Sequence, residues 1–299
     1  MTTTNAVEFD AVSKAYPAGW LRRAMMPAVV DVTLAIPAGE VVGLIGPNRA
    51  GKTTLVKLLL GLCRPTAGRI VRLGQPVSVR STLARVGYVH ESHAFPPYLS
   101  AAEVLGLYAA FGLVPADEAR RRIPRLLEWA GLADRAAEPI GRFSKGMRQR
   151  LGLAQAVLGE PDLLVLDEPG EGLDLAGRRL VAEAVAAVKA RGGTVLLVSH
   201  QLTEVERLCD RLVVVRGGRL HYAGTLAEVC RDPISGAIRP LADVVARLYE
   251  GANDANAVAA VVDPVAGARH VPPGGGVAAV RGDDGGHTAG SAVLPERRP

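Results

Sequence analysis

Two short stretches carry residue types that could do chemistry together. The run GPNRAGKTT, Gly46 to Thr54, has the spacing G-x4-G-K-[ST]. Glycines in that pattern let the backbone curl until successive N–H groups point inward. Lys52 adds a point charge and the Thr53 hydroxyl can ligate magnesium, so the string is built to grip a polyphosphate. Pro47, Asn48, Arg49, Ala50, Gly51 and Thr54 complete the expected cradle. The second stretch, LLVLDEP from Leu163 to Pro169, follows apolar residues with two acids. At the carboxyl edge of a sheet Asp167 could hold a magnesium shell, and Glu168 could orient an attacking water or accept its proton. A core strand ending in solvated acids is common in isolation, but that bland reading weakens beside a phosphate loop.

Arg49 is the irregular member of the loop. If its φ must be positive it costs of order 1–2 kcal/mol, which leaves the loop strained rather than broken. A third string, FSKGMRQR from Phe143 to Arg150, puts Ser144 and Gly146 at the head of a helix, another terminus that attracts anions. One polyphosphate does not need two such termini. By itself the string reads as an N-capped helix start.

The surrounding sequence supplies the elements that must position these residues. From Val7 to about Tyr88, short β-rich runs such as VEFDAV, VVDVTLAI, VVGLIG and RIVRL alternate with turn signals. The helix TTLVKLLLGL follows the glycine loop directly. From Leu99 to Gly131 the pattern is helical, and Pro124 predicts a kink or break in the second helix. After Gly141 come a helix, the buried strand LLVLDE, a long helix ending near Arg191, and the buried strand TVLLVSH. Repeated strand, helix, strand implies a parallel sheet. Thr203 to Glu206 has capping-box spacing for the next helix, and LVVVRGG with RLHYAG reads as a hairpin. The core is expected to close near Val229. An amphipathic helix, PLADVVARLYE, is expected within 231–250, and the low-complexity tail 251–299 is expected to be disordered.

Composition narrows the partners. Aromatic residues are only 4%, leaving little to stack on nucleic-acid bases, so no nucleic acid is expected. The formal charge of +5 suits phosphate ligands or an anionic membrane face without distinguishing them. Cys63, Cys209 and Cys230 are far apart, show no CxxC or Cys/His pairing, and suit a reducing cytoplasm. MTTTNAVEFD lacks the layout of a signal peptide, and no apolar run approaches the roughly 18 residues a bilayer requires. A soluble chain is expected, with any spanning part supplied by another polypeptide. His90 and His93 flank Glu91 in HESH, a spacing that does not fit HExxH, so a switch loop is the better reading than a metal site.

Taken with their order along the chain, these strings resemble the ATP-binding cassette (ABC) family over about Val7 to Val229. FSKGMRQR resembles its signature motif, which in the family closes over the nucleotide held by a partner subunit's phosphate loop. The resemblance implies an α/β fold: a P-loop NTPase (RecA-like) core with a mixed sheet, an N-terminal antiparallel β subdomain and an inserted helical subdomain at about 95–155, the ATPase domain spanning 1–230. It implies adenine stacking by Tyr16, magnesium and water contacts by Glu91, a D-loop ending at Asp174, and γ-phosphate sensing by the switch residue His200. Lys52, Glu168 and His200 are the implied catalytic set, with ATP bound by Tyr16, Gly46–Thr54, Glu91, Ser144, Gly146 and Asp174, and magnesium held by Thr53, Asp167 and Glu91. The run from Phe143 to Pro169 is most similar to ATP-binding subunits of ABC-2-type and multidrug-resistance exporters. These work as dimers, expected here to be a homodimer, on a separate transmembrane permease at the cytoplasmic face of the membrane.

The sequence departs from the family pattern at Arg49, at Glu91 where a glutamine is usual, at Gly170 for threonine and at Glu171 for serine. Two alternatives stay open: a degenerate subunit that binds ATP and regulates an active partner, and a soluble cassette ATPase without a transport role. The insert PAGWLRRAMMP, carrying Trp20, Arg22, Arg23, Met25 and Met26, is expected to be a long hairpin tip.

Overall fold

A computed structural model describes residues 4–18, 24–232 and 235–250. Two long strands open the chain, β1 (Asn5–Ala18) and β2 (Ala24–Pro37). They pair antiparallel, and with β4 (Ala67–Arg72) and β5 (Gln75–Pro76) form a four-stranded sheet in the order β2-β1-β4-β5. Between β2 and β4 lie β3 (Val41–Ile45) and helix α1 (Lys52–Leu59). The chain continues through β6 (Val86–Val89), α2 (Ala101–Phe111), α3 (Ala116–Trp129), α4 (Lys145–Val157), β7 (Leu163–Asp167), α5 (Leu175–Ala190) and β8 (Thr194–Val198). It closes with α6 (Leu202–Leu208), β9 (Arg211–Arg216), β10 (Arg219–Thr225), α7 (Leu226–Cys230) and α8 (Leu241–Glu250).

The larger sheet has six strands in the order β10-β9-β3-β8-β7-β6, parallel except for the β9–β10 hairpin. Strands β3, β7 and β8 are buried at every residue, as central strands covered on both faces must be. One face packs on α1 and the smaller sheet through Leu44, Val56, Leu58, Val165 and Phe9. The other packs on α4 and α5 through Leu153, Leu164, Leu166, Val181 and Val185. The inserted helices α2 and α3 bury a separate cluster against α4, built on Val104, Leu105, Leu127, Phe143 and Leu151. Ser100 starts α2 with a complete capping box to Glu103.

Three expectations are corrected. Helix α3 runs through Pro124 without the expected break. The proline is exposed, so water can satisfy the carbonyl it frees, while Ala119, Leu127 and Ala130 bury the core-facing side of the helix. Thr203 caps nothing, because the N-cap of α6 lies two residues earlier, at Gln201, with no side-chain cap. The turn before it is closed by Ser199, whose Oγ accepts from the Gln201 N–H and donates to buried Glu204. Tyr16 sits in strand β1 opposite Met26. The core does not close at Val229, since α8 buries Leu241, Val244 and Val245 with Ile45, Val205 and Leu212. Trp20, Arg22 and Arg23 of the hairpin insert and the tail 251–299 lie outside the described residues.

Candidate functional site

Strand order alone assembles the site. In a parallel sheet the carboxyl ends of adjacent strands open one crevice. Here the loop Gly46–Gly51 leaves β3, Glu91 follows β6 by two residues, Asp167 ends β7 with Glu168 next, and His200 follows β8 by two. These strands are neighbours in the order β3-β8-β7-β6. Tyr16 arrives from the smaller sheet. All of these residues, with Pro47 to Thr54, line one cleft of about 1030 Å³.

The loop is shaped by long-range contacts. Gly51 takes φ 106°, and a Cβ there would stand 2.6 Å from the Ala28 carbonyl oxygen, so glycine is required. Arg49 does adopt a positive φ, 67°, the strained case anticipated from its type. Lys52 Nζ donates to the Gly46 carbonyl at 2.6 Å and the Pro47 carbonyl at 3.2 Å, which keeps the ammonium inside the cradle. Burial lowers the Lys52 pKa, opposed by Glu168, Asp167 and Glu91.

Across the cleft, Glu168 is held in a left-handed conformation, φ 51°, by its N–H bond to the Val198 carbonyl at 2.9 Å. Its Oε2 lies 2.7 Å from His200 Nδ1 and accepts the His200 backbone N–H at 3.3 Å. A glutamate in this region stores of order 1–3 kcal/mol, a cost that proteins concentrate where a side chain must be aimed. Asp167 is 3% exposed. Burial pushes its carboxyl up to about 6; Glu168 and Glu91 push the same way, and His90 and Lys52 resist. A buried carboxyl repelled by Glu168 and Glu91, in a cleft that the Thr53 side chain also lines, is a hard-oxygen donor set whose mutual repulsion a cation would relieve, so these residues fit magnesium.

Comparison with known proteins decides the family. The ABC transporter family model matches residues 29–171. An uncharacterised ABC transporter ATP-binding protein of Nostoc sp. is 42% identical over 229 residues, 76% of this chain and 68% of the relative. The chain belongs to the ABC transporter ATP-binding proteins. A Nod factor export ATP-binding protein I of Paraburkholderia xenovorans is 40% identical over 217 residues, 72% of this chain and 69% of the relative. A solved ATP-binding subunit of an ABC transporter superposes with TM-score 0.74 at 33% identity, covering 82% of this chain and 99% of that one. The shared fold is the P-loop NTPase α/β architecture expected from the sequence.

Not every expected site residue of this cassette protein joins the cleft. Ser144, Gly146 and Asp174 do not line it. Ser144 caps α4, its Oγ accepting from Met147 N–H at 3.2 Å, and Gly146 lies in the first turn of that helix. Asp174 caps α5 through the Gly177 N–H at 2.8 Å and pairs with Arg150 at 2.8 Å. The Gly177 N–H and then Arg150 hold its carboxyl below the usual range. The start of α4 is stitched to the segment after Glu168 by further bonds: Lys145 to Glu171 at 3.0 Å and buried Gln149 to the Pro169 carbonyl at 3.1 Å. His93 is a packing residue here. It stacks on Phe95 at 5.2 Å, a Cβ on Gly152 would collide with its ring, and burial lowers its pKa to about 4, which keeps it neutral.

Sequence reasoning missed Val245 and Tyr249, which line the cleft from α8. Their helix was visible as an amphipathic run, but nothing in its periodicity says which surface it covers. The proximity of Gly170 to Glu204 was also missed. A Cβ at 170 would stand 3.1 Å from Glu204 Oε1, so the glycine makes room for a buried carboxyl that burial shifts upward.

Proposed function

We propose that this chain is the ATP-hydrolysing subunit of an ABC-2-type exporter of the multidrug-resistance kind. Two copies sandwich two Mg-ATP, and turnover drives a separate permease from the cytoplasmic face of the membrane. The observation that carries the reading is a division of labour. One cleft gathers Tyr16, the phosphate loop, Glu91, Asp167, Glu168 and His200, while Ser144 and Gly146 stand off it. A single chain thus has one side of a clasp complete and a second, anion-seeking helix start left over, which suits the nucleotide of a second copy.

In this reading Tyr16 stacks on adenine, and the Gly46–Gly51 backbone with Lys52 holds the β- and γ-phosphates. Thr53, Asp167 and Glu91 hold magnesium, which when bound neutralises phosphate charge. Glu168 takes the proton of the attacking water, and the 2.7 Å contact with His200 keeps its carboxylate aimed. A partner of apolar character is supported by a groove of about 830 Å³ beside the Glu91 loop, lined by Phe95, Tyr108, Phe111 and Leu113. Phe111 is 71% and Leu113 78% exposed at its rim. Because Ser92 to Phe95 also line the groove, a helix of the permease seated there would feel movement of the Glu91 loop. No described helix is long and apolar enough to cross a membrane. The export direction is supported by the relatives named as Nod factor export proteins.

The test is Glu168→Gln. Turnover is expected to fall about 10²- to 10⁴-fold, the usual contribution of a general base, while ATP-dependent dimerisation, read by light scattering, survives. Undiminished hydrolysis in the variant would refute the assigned role. ATP binding without turnover by the wild-type chain with its permease would instead favour the regulatory alternative.

A further inference from the structure

Helix α8 touches the nucleotide cleft as well as the core. Leu241, Val244 and Val245 are buried in the cluster that contains Ile45, the residue immediately before Gly46, and Val205 of the helix that follows His200. The Leu241 N–H donates to Glu206 Oε1 of α6 at 3.2 Å, so the start of α8 is fixed to that helix. One turn apart on α8, Val245 and Tyr249 then face the cleft, together with Leu202, which packs on the same cluster. The Tyr249 phenol is buried enough to have its pKa raised, although its helix lies outside every motif of the site.

We propose that α8 is a wall of the nucleotide site and that Tyr249 and Val245 contact the bound nucleotide, coupling its occupancy to the order of α8. The inference rests on the nucleotide reading of the cleft. It follows from where the helix is anchored. Ile45 and Val205 flank the phosphate loop and the switch turn, so a ligand that fixes both fixes the two surfaces on which α8 sits. Thermodynamic linkage makes the effect reciprocal: nucleotide stabilises α8, and a docked α8 raises nucleotide affinity by the same factor.

ADP is the probe, because it fills the cleft of one chain without the γ-phosphate that would bridge two. Amide hydrogen exchange on the full chain should slow over 241–250 as well as over the phosphate loop when ADP is added. Protection of the loop with none at α8 overturns the proposal while leaving the nucleotide reading intact. Protection at neither place sinks both. Tyr249→Ala should weaken ADP binding about fivefold, the loss of an aromatic contact, Tyr249→Phe should retain most of the affinity, and Arg247→Ala on the exposed side should change nothing. Equal affinities across all of these variants would also overturn it. Should Tyr249→Ala fail to fold, the exchange measurement on the wild-type chain still decides.

Discussion

Helix α1 begins on Gly51, left-handed at φ 106° with no side chain capping it, whereas α4 begins on Ser144 with its own hydroxyl closing the first turn. The first N–H groups of any helix lack internal partners. At α4 a local side chain takes one of them. At α1 none does, and the start is held from a distance: the Gly218 N–H bonds to the Ala50 carbonyl at 3.0 Å, and Ala28 packs against Gly51. The uncapped end is therefore the one organised to receive an anion, and its shape is stored in the rest of the fold. The capped end is self-sufficient, as a surface must be if its ligand arrives on another molecule.

Substitutions at the two starts should separate these cases. Gly51→Ala forces a Cβ to within 2.6 Å of a backbone oxygen at a φ that L-residues avoid. A loss of about 3 kcal/mol or more is expected, together with loss of ADP binding by the single chain. Ser144→Ala removes only a cap, about 1 kcal/mol, and should leave ADP binding unchanged while weakening ATP-driven dimerisation. Thermal melts and nucleotide titrations of both variants check this pair. If Ser144→Ala also abolished ADP binding, the α4 start would belong to the same cleft as α1 and the contrast would collapse.

Arg49 gives a smaller effect on the α1 side. Relief of its positive φ is worth about 1–2 kcal/mol, but glycine in its place returns roughly 0.5–1 kcal/mol of backbone entropy to the unfolded chain. Arg49→Gly is thus expected to stabilise by about 0–1.5 kcal/mol in denaturant titration, without disturbing ADP binding. A clear destabilisation would mean that the arginine side chain makes a contact worth more than its strain.

How much of this was legible in the sequence depended on range. Gly46, Gly51, Lys52, Asp167 and Glu168 were legible because their chemistry is local: a loop that curls and a strand that ends. The apolar strands VVGLI, LLVLD and TVLLV gave the sheet core for the same reason. What failed to show was set by contacts distant in sequence. The start of α6 is decided by Ser199 and Glu204 rather than by Thr203. Pro124 is tolerated because it is exposed to water on α3. The left-handed Glu168 depends on a bond to the neighbouring strand, and α8 lies on the cleft because of what Ile45 and Val205 expose.

The finest test of the comparison lies in the Lys145–Glu171 pair, which joins the α4 start to the segment behind Glu168. Both partners are well exposed, 56% and 41%, so solvent screens their 3.0 Å contact. Lys145→Ala and Glu171→Ser should each shift stability by less than about 0.5 kcal/mol, and the coupling read from a double-mutant cycle should shrink further in high salt. The larger consequence is expected in turnover, since Glu171 lines the cleft, while Lys145 adjoins Ser144, the residue proposed to meet the nucleotide of a second copy. Breaking the pair loosens the α4 start from the segment after Glu168, leaving the Gln149–Pro169 and Arg150–Asp174 ties in place, and should lower the cooperativity of hydrolysis more than ADP affinity. A stability coupling above about 1 kcal/mol would mean that α4 is clamped to its loop as firmly as α1 is to its own, and the two helix starts would no longer differ in kind.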